Sequence, residues 1–167
     1  MIISASRRTD IPSFYSEWML NRLKEKYVLV RNPMNIHQVS KIDLSPNVVD
    51  AIVFWTKNPT PMLVQLDELK DYTYYFQFTL SAYGPDVERN LPSKNKIIIP
   101  TFQKLSQEIG KEKIVWRYDP IFLNKYYTIE KHLECFEDIL SQLSGCLLYP
   151  SDAADEARSV DLGGRRI

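Results

Sequence analysis

The sequence predicts an α/β fold built as a partial parallel (β/α) barrel of about five βα units. Three observations predict it. Short apolar runs alternate with stretches of helical spacing, and no Asn-Gly or Asp-Gly pair marks a tight hairpin. The apolar runs begin near residues 2, 27, 49, 74 and 114. That spacing of roughly 25 to 40 residues is close to the ~31 of an eightfold barrel, so the arrangement is TIM-barrel-like and truncated. An open doubly wound α/β sheet is the alternative. A Gly-rich first turn would favour it, but before residue 146 the glycines are Gly84, Gly110 and Gly145, which form neither a dinucleotide fingerprint nor a P-loop.

The elements follow in order. Ile2 to Ser6 reads as a short buried strand. Asp10 then precedes a helix with Pro12 in its first turn, and Phe14, Trp18, Met19 and Leu23 recur at helical spacing up to Lys24-Glu25-Lys26. A second strand, Tyr27 to Arg31, stops at Asn32-Pro33, and a third, Val48 to Trp55, stops before Asn58-Pro59. Met62, Leu63, Leu66 and Leu69 give the stripe of the next helix, which leads to a fourth strand, Tyr74 to Leu80. Its alternation puts Tyr75, Gln77 and Thr79 on one face and Phe76, Phe78 and Leu80 on the other. Residues 81–96, rich in Pro, Asn and charge, form a long connection. Phe102, Leu105 and Ile109 mark a helix, Ile114 to Tyr118 a fifth strand, and Ile129, Leu133, Phe136, Leu140 and Leu143 a last amphipathic helix.

Composition excludes several classes. The 167 residues carry 21 basic and 21 acidic side chains with 44% hydrophobic and 12% aromatic content. A neutral balance does not point to a polyanion-wrapping protein, and this much apolar and aromatic content argues against disorder. No apolar run approaches the roughly 20 residues of a membrane span, and the start lacks a signal-peptide core, so the expected location is the cytoplasm with no membrane partner. Two cysteines, Cys135 and Cys146, make neither a disulfide framework nor, alone, a metal site.

The end of the chain is of another kind. From Cys146 the sequence CLLYPSDAADE departs only at Pro150 from CLLYTSDAADE, the in-frame translation of a transposon-type sequencing adapter, and VDLGGRRI continues as the translated primer. Residues 1–145 are therefore read as the N-terminal part of a barrel domain and residues 146–167 as a non-native, disordered tail excluded from fold reasoning. Removing the tail's three basic and four acidic residues leaves 18 against 17, still neutral. The natural protein is expected to continue beyond this point. An incomplete barrel also exposes a strand edge and apolar faces, so this chain by itself is expected to be poorly stable and inactive.

Polar chemistry gathers at the C-terminal end of each expected strand. After the first come Ser6, Arg7, Arg8, Thr9 and Asp10; after the second, Arg31 and Asn32; after the third, Thr56, Lys57 and Asn58. The fourth carries Gln77 and Thr79, and the fifth Arg117 and Asp119. In parallel α/β folds such ends converge on one mouth where substrates bind. Arg7, Arg8 and Lys57 suit a carboxylate or phosphate; Asn58, Gln77 and Thr79 suit substrate orientation; Arg117 and Asp119 suit polar cofactor groups or the shaping of the mouth. Lys57, as a tuned amine, and Asp119 are the candidate catalytic groups. Structural duties compete: Arg8 with Asp10, or Arg117 with Asp119, as ion pairs, and Asp10 as a helix cap. Trp55 and Trp116 read as packing residues, His37 and His132 as solvent-facing or core residues, and Cys135 as a small core side chain. The partner expected from these residues is an anionic small molecule or nucleotide, bound with or without catalysis, and nucleic acid stays open.

Five ordered motifs, SRRTDIP at Ser6–Pro12, VLVRNPMN at Val28–Asn35, VFWTKNP at Val53–Pro59, YYFQFTL at Tyr74–Leu80 and WRYDP at Trp116–Pro120, resemble the uncharacterised bacterial family named domain of unknown function 1848. The likeness spans residues 1–144. Members are longer and end in a cysteine cluster similar to the CxxxCxxC motif of radical S-adenosylmethionine enzymes. The resemblance implies a partial-barrel, radical-type iron–sulfur enzyme that binds a [4Fe-4S] cluster and S-adenosylmethionine. This sequence departs at the decisive place, because adapter-like residues stand where the cluster would, and Cys146 is not counted as a ligand.

Overall fold

The computed structural model describes residues 1–5 and 9–148, and the runs at the centre of its sheet, Ile52–Phe54 and Tyr74–Leu80, are the most buried, whereas the first strand, expected to be buried, leaves Ile2 and Ser4 exposed. Strand β1 is Ile2–Ala5, β4 is Ala51–Thr56, β5 is Tyr74–Thr79 and β6 is Ile114–Arg117. They make one parallel sheet in the order β1-β4-β5-β6. The helices are α1 (Ile11–Phe14), α2 (Ser16–Glu25), α3 (Thr60–Leu63), α4 (Ile99–Ile109) and α5 (Ile129–Gln142). A π-helical turn, Lys94–Ile98, with Ser93 as its N-cap, leads into α4, whose Pro100 sits in the first turn where its missing N–H is harmless. Gly110 ends α4 at φ +89°, a conformation that a Cβ strains.

The second expected strand is corrected. Tyr27–Arg31 (β2) pairs antiparallel with Val39–Asp43 (β3) in a separate two-stranded sheet, so four strands, not five, run parallel. The reason lies in the exposed Val-Ser-Lys-Ile-Asp segment of β3, which offers β2 a neighbour in its own hairpin. Asn32 closes the turn: its backbone N–H bonds the Gln38 carbonyl at 2.9 Å, its side-chain nitrogen donates to Gln38 Oε1 at 2.7 Å and its Oδ1 accepts from Met34 N–H. A loop of this length needs no Asn-Gly pair.

The core lies on one face of the parallel sheet. Ala5, Ile52, Phe54, Phe76, Phe78, Leu80 and Ile114 pack against Met19, Leu20 and Leu23 of α2, Met62 of α3, Phe102 and Leu105 of α4, and Ile139 of α5. Phe54 stacks on Phe76 at 5.1 Å, and Phe78 meets Phe102 at 4.9 Å. The opposite face carries Ser4, Val53, Trp55, Tyr75, Gln77, Thr79, Val115 and Arg117, of which only Val53 is buried. The alternation read from Tyr74 to Leu80 is thus seen, with Tyr74, Phe76, Phe78 and Leu80 buried and Tyr75, Gln77 and Thr79 half-buried. Trp116 packs against the core, its indole donating to the Leu80 carbonyl at 2.9 Å, whereas Trp55 lies on the bare face instead of packing into the core.

The last helix differs from expectation in the face it buries. It turns His132 and Ile139 inward, together with Leu143 just beyond its end, and leaves Ile129 and Leu133 59% and 58% exposed. No helix among the described residues is long and apolar enough to cross a membrane. The stretch read as a non-native tail falls outside the described residues from position 149 onward; before that, the Cys146 carbonyl accepts from Ser106 Oγ at 2.7 Å and Leu147 packs against the core.

Candidate functional site

The site grows from a knot at the end of β4. One oxygen of Asp10 accepts from the Ser13 N–H at 2.9 Å and caps α1, while the other accepts from the Thr56 hydroxyl at 3.0 Å and the Lys57 N–H at 2.8 Å. Buried Thr56 accepts in turn from the Asn58 N–H at 3.0 Å, and Asn58 Oδ1 takes the Thr60 hydroxyl at 2.6 Å. Asp10, Thr56 and Asn58 therefore fix the backbone that carries Lys57. Replacing Asp10 with alanine is expected to lower stability by about 2–3 kcal/mol, because one cap and two part-buried hydrogen bonds vanish together. A denaturant titration checks this, and Asp10→Asn should lose less.

The Lys57 ammonium pairs with Glu88, which comes from the long β5–α4 connection. Lys94, at the start of the π-helical turn, lies 2.6 Å from the second Glu88 oxygen, an ion pair without hydrogen-bond alignment. Lys94 also donates to the Ser81 carbonyl at 2.6 Å and to the Tyr83 carbonyl. Side-chain exposure separates their duties: 8% for Glu88, 21% for Lys94 and 40% for Lys57. Burial pushes the Glu88 carboxyl up, but the hydrogen bond from Lys57 and the charges of Lys57 and Lys94 outweigh it and hold the group below its ordinary value. Lys94 thus pins the loop, and Lys57 keeps N–H donors for the mouth.

Register brings three expected residues into one line. Thr56 pairs with Phe78 and Thr79 with Arg117, so Lys57, one residue past Thr56, stands opposite Thr79. Lys57, Thr79 and Arg117 form a row across the C-terminal ends of β4, β5 and β6, spanning about 10 Å at the usual strand spacing. Below it lie Trp55 and Gln77, also paired in register. The Arg117 guanidinium reaches over the Trp55 ring, with Cζ 4.4 Å from the centroid, and ion-pairs with Asp119. The Trp55 indole N–H donates to Ser4 Oγ at 3.1 Å, so a polar line crosses the bare face from β1 to β6. The side chains of Tyr75, Gln77 and Thr79 have no hydrogen-bond partner among the described residues.

A cleft of about 500 Å³ opens beside this row, lined among others by Tyr83, Gly84, Glu88, Ser93 and Lys94. Two tyrosines brace its loops reciprocally. Tyr83, on the β5–α4 loop, donates to the Pro120 carbonyl at 2.8 Å and accepts from the Phe122 N–H at 2.9 Å. Tyr127, on the β6–α5 loop, donates to Asp86 at 2.7 Å and accepts from the Gly84 N–H at 3.0 Å. Behind them buried His132 bonds the Phe122 carbonyl through Nε2 at 3.1 Å and the Tyr118 hydroxyl through Nδ1 at 3.0 Å. Burial pushes the Tyr118 hydroxyl up to about 12. A second cleft of about 490 Å³, around Leu23, Glu68 and Tyr72, sits away from the C-terminal strand ends, and its Lys24 and Glu68 pair with each other at 2.9 Å.

Some expected site residues do not join the row. Arg31 and Asn32 belong to the hairpin sheet, with Asn32 committed to the turn. Arg7 and Arg8 lie outside the described residues. Conversely, Glu88, Lys94, Tyr83 and Tyr127 escape sequence reasoning, since no local pattern in the 81–96 connection or before α5 distinguishes them from solvated polar residues.

The five motifs point to a family that comparison decides. The family described as Domain of unknown function (DUF1848) matches residues 2–149. The chain belongs to the DUF1848 family. No curated protein and no solved structure matches it. The DUF1848 match runs from β1 through α5, so it includes every strand of the row, and it extends four residues past Gly145. The residues of this DUF1848 chain do not fit a [4Fe-4S] cluster. Three thiolates are required, Cys135 and Cys146 are its two cysteines, and no group of three or more His, Cys, Asp or Glu among the described residues is placed to hold a metal.

Proposed function

We propose that this domain is the anion-binding part of a (β/α) barrel enzyme. The row Lys57–Thr79–Arg117 carries the reading: two cations flank a hydroxyl at the C-terminal ends of adjacent parallel strands, on the face that none of the described helices covers. The barrel part is supported by the consecutive strand order and by helices packed on one face, where a doubly wound sheet has helices on both. In such a barrel the bare face becomes the interior, and Trp55, Tyr75, Gln77 and Arg117 line it. The five-motif resemblance supports a radical-type iron–sulfur enzyme as the class of the whole protein, with cluster thiolates from sequence outside this chain.

Lys57 contributes N–H donors, because its ammonium is paired with a carboxylate kept ionised; this supports anion binding over a nucleophilic amine. Two measurements test the reading. Inorganic phosphate titrated into the ¹⁵N-labelled chain should shift the Thr79 amide and the Trp55 indole N–H, and Arg117→Gln should weaken binding by about fivefold or more. Unmoved resonances at both positions sink the anion site. For the enzyme class, a longer family member expressed anaerobically should hold about four irons and matching sulfide per chain. A chain without iron sinks that class and leaves the anion site standing.

A further inference from the structure

We infer that the ligand of this row carries a zwitterionic head, a carboxylate with an ammonium beside it, as in an α-amino acid. The inference rests on the anion-binding reading above and narrows it. Arg117 has its guanidinium carbon 4.4 Å from the Trp55 ring centroid and one N–H on Asp119, and its other donors have no hydrogen-bond partner among the described residues. The indole beneath it and the ion pair with Asp119 hold the guanidinium at the β6 end of the row, with those donors left for a ligand. Asp119, at the outer end, is 46% exposed and commits one oxygen to Arg117; its second oxygen takes no hydrogen bond among the described residues.

This order of charges selects between ligands. A simple carboxylate that reaches Arg117 also meets the negative charge of Asp119 a few ångströms away, which works against binding. A ligand with an ammonium next to its carboxylate converts that repulsion into a second attraction, with the carboxylate on Arg117 and the ammonium on the free Asp119 oxygen. At the inner end Glu88 is 8% exposed and already held by two lysines, so it offers no equivalent place for a cation. The head therefore has one orientation: carboxylate between Lys57 and Arg117 over Thr79, ammonium toward Asp119, and the rest of the molecule against Trp55 and Gln77.

A matched set of small probes tests it: L-alanine, propionate and ethylamine, which differ only in which charged groups they carry. Binding is read from the Trp55 indole and Thr79 amide resonances. L-Alanine should bind the unsubstituted protein about fivefold tighter than propionate, and ethylamine should bind more weakly than either. In Asp119→Asn the preference should disappear: alanine weakens about fivefold while propionate binds at least as well, because its repulsive neighbour is gone. Asp119→Glu should restore the preference for alanine, a rescue that a purely structural aspartate does not explain. Equal binding of alanine and propionate, or an Asp119→Asn effect of the same sign on both, overturns the zwitterion and leaves the anion site intact. No response at either resonance to alanine, propionate or phosphate overturns both.

Discussion

Replacing Phe76 with alanine is expected to lower the unfolding free energy by about 3–5 kcal/mol, the largest effect of any single side chain considered. Phe76 is fully buried at the middle of the central strand β5, stacked on Phe54 at 5.1 Å and met edge-on by Tyr74 at 6.0 Å. Truncation removes the ring's transfer free energy and leaves a cavity between sheet and helices that the flanking rings cannot fill without leaving their rotamers. Against a total of about 5–15 kcal/mol for a domain, that loss leaves a substantial unfolded fraction. Gln77, the next residue on the same strand, points to the other face, and Gln77→Ala should stay within about 0.5 kcal/mol. Urea unfolding of both variants checks the pair. Similar losses at the two positions would mean that both faces of the sheet are packed, contrary to the one-sided core.

Changing Glu88 to glutamine should cost about 2–3 kcal/mol at neutral pH. It leaves the half-buried Lys94 ammonium without its counter-charge; the share from Lys57, which is more than a third exposed, is discounted for solvent screening. The loss has a defined pH dependence. Lys57 and Lys94 overcome the opposing effect of burial and hold the folded-state carboxyl below its ordinary value of 4.5. A group depressed on folding stabilises fully above its unfolded value, and that contribution disappears as pH falls through the folded one. Melting temperatures measured from pH 7 to pH 3 should therefore separate the unsubstituted protein from the Glu88→Gln variant most at neutral pH, in favour of the carboxylate, and converge in acid below about pH 4.5. A constant offset across that range would show that the carboxylate charge is not what stabilises the loop.

Much of the sheet is legible because burial imposes local patterns. Tyr74 to Leu80 alternates strictly, and Ile52 to Phe54 is a continuous apolar run of the kind a parallel strand needs, so both their strand state and their faces follow from the sequence. Tyr27 to Arg31 has the same apolar character, but its partner is set by pairing with the polar, exposed Val39–Asp43 segment, which carries no strong strand signal. Strand type is local; strand partner is not. The last helix shows the same limit from another side: its 3.6-residue stripe is real, but which edge of the stripe meets the core depends on neighbours distant in sequence.

The site divides in the same way. Lys57, Thr79 and Arg117 stand out in the sequence because strand ends in parallel folds converge, a rule that acts through topology and reads directly from position. Their line across the sheet comes from register, which the sequence leaves open. Glu88 and Lys94 escape because a loop residue acquires its meaning from the groups it meets across the fold, here a lysine 31 residues before Glu88. Asp10 reads both as a site residue and as a cap; the hydrogen bonds show the cap and add the link to Thr56 and Lys57.

The paired tyrosines beside the cleft have a kinetic consequence. Each hydroxyl holds the backbone of the loop opposite, so neither loop opens without breaking bonds that belong to the other. Their backbone amides should exchange with solvent as one cooperative unit, and the rim on the β5–β6 side presents a fixed outline to an arriving molecule. Fit on that side is then decided by the shape of the molecule that arrives and not by adjustment of the protein.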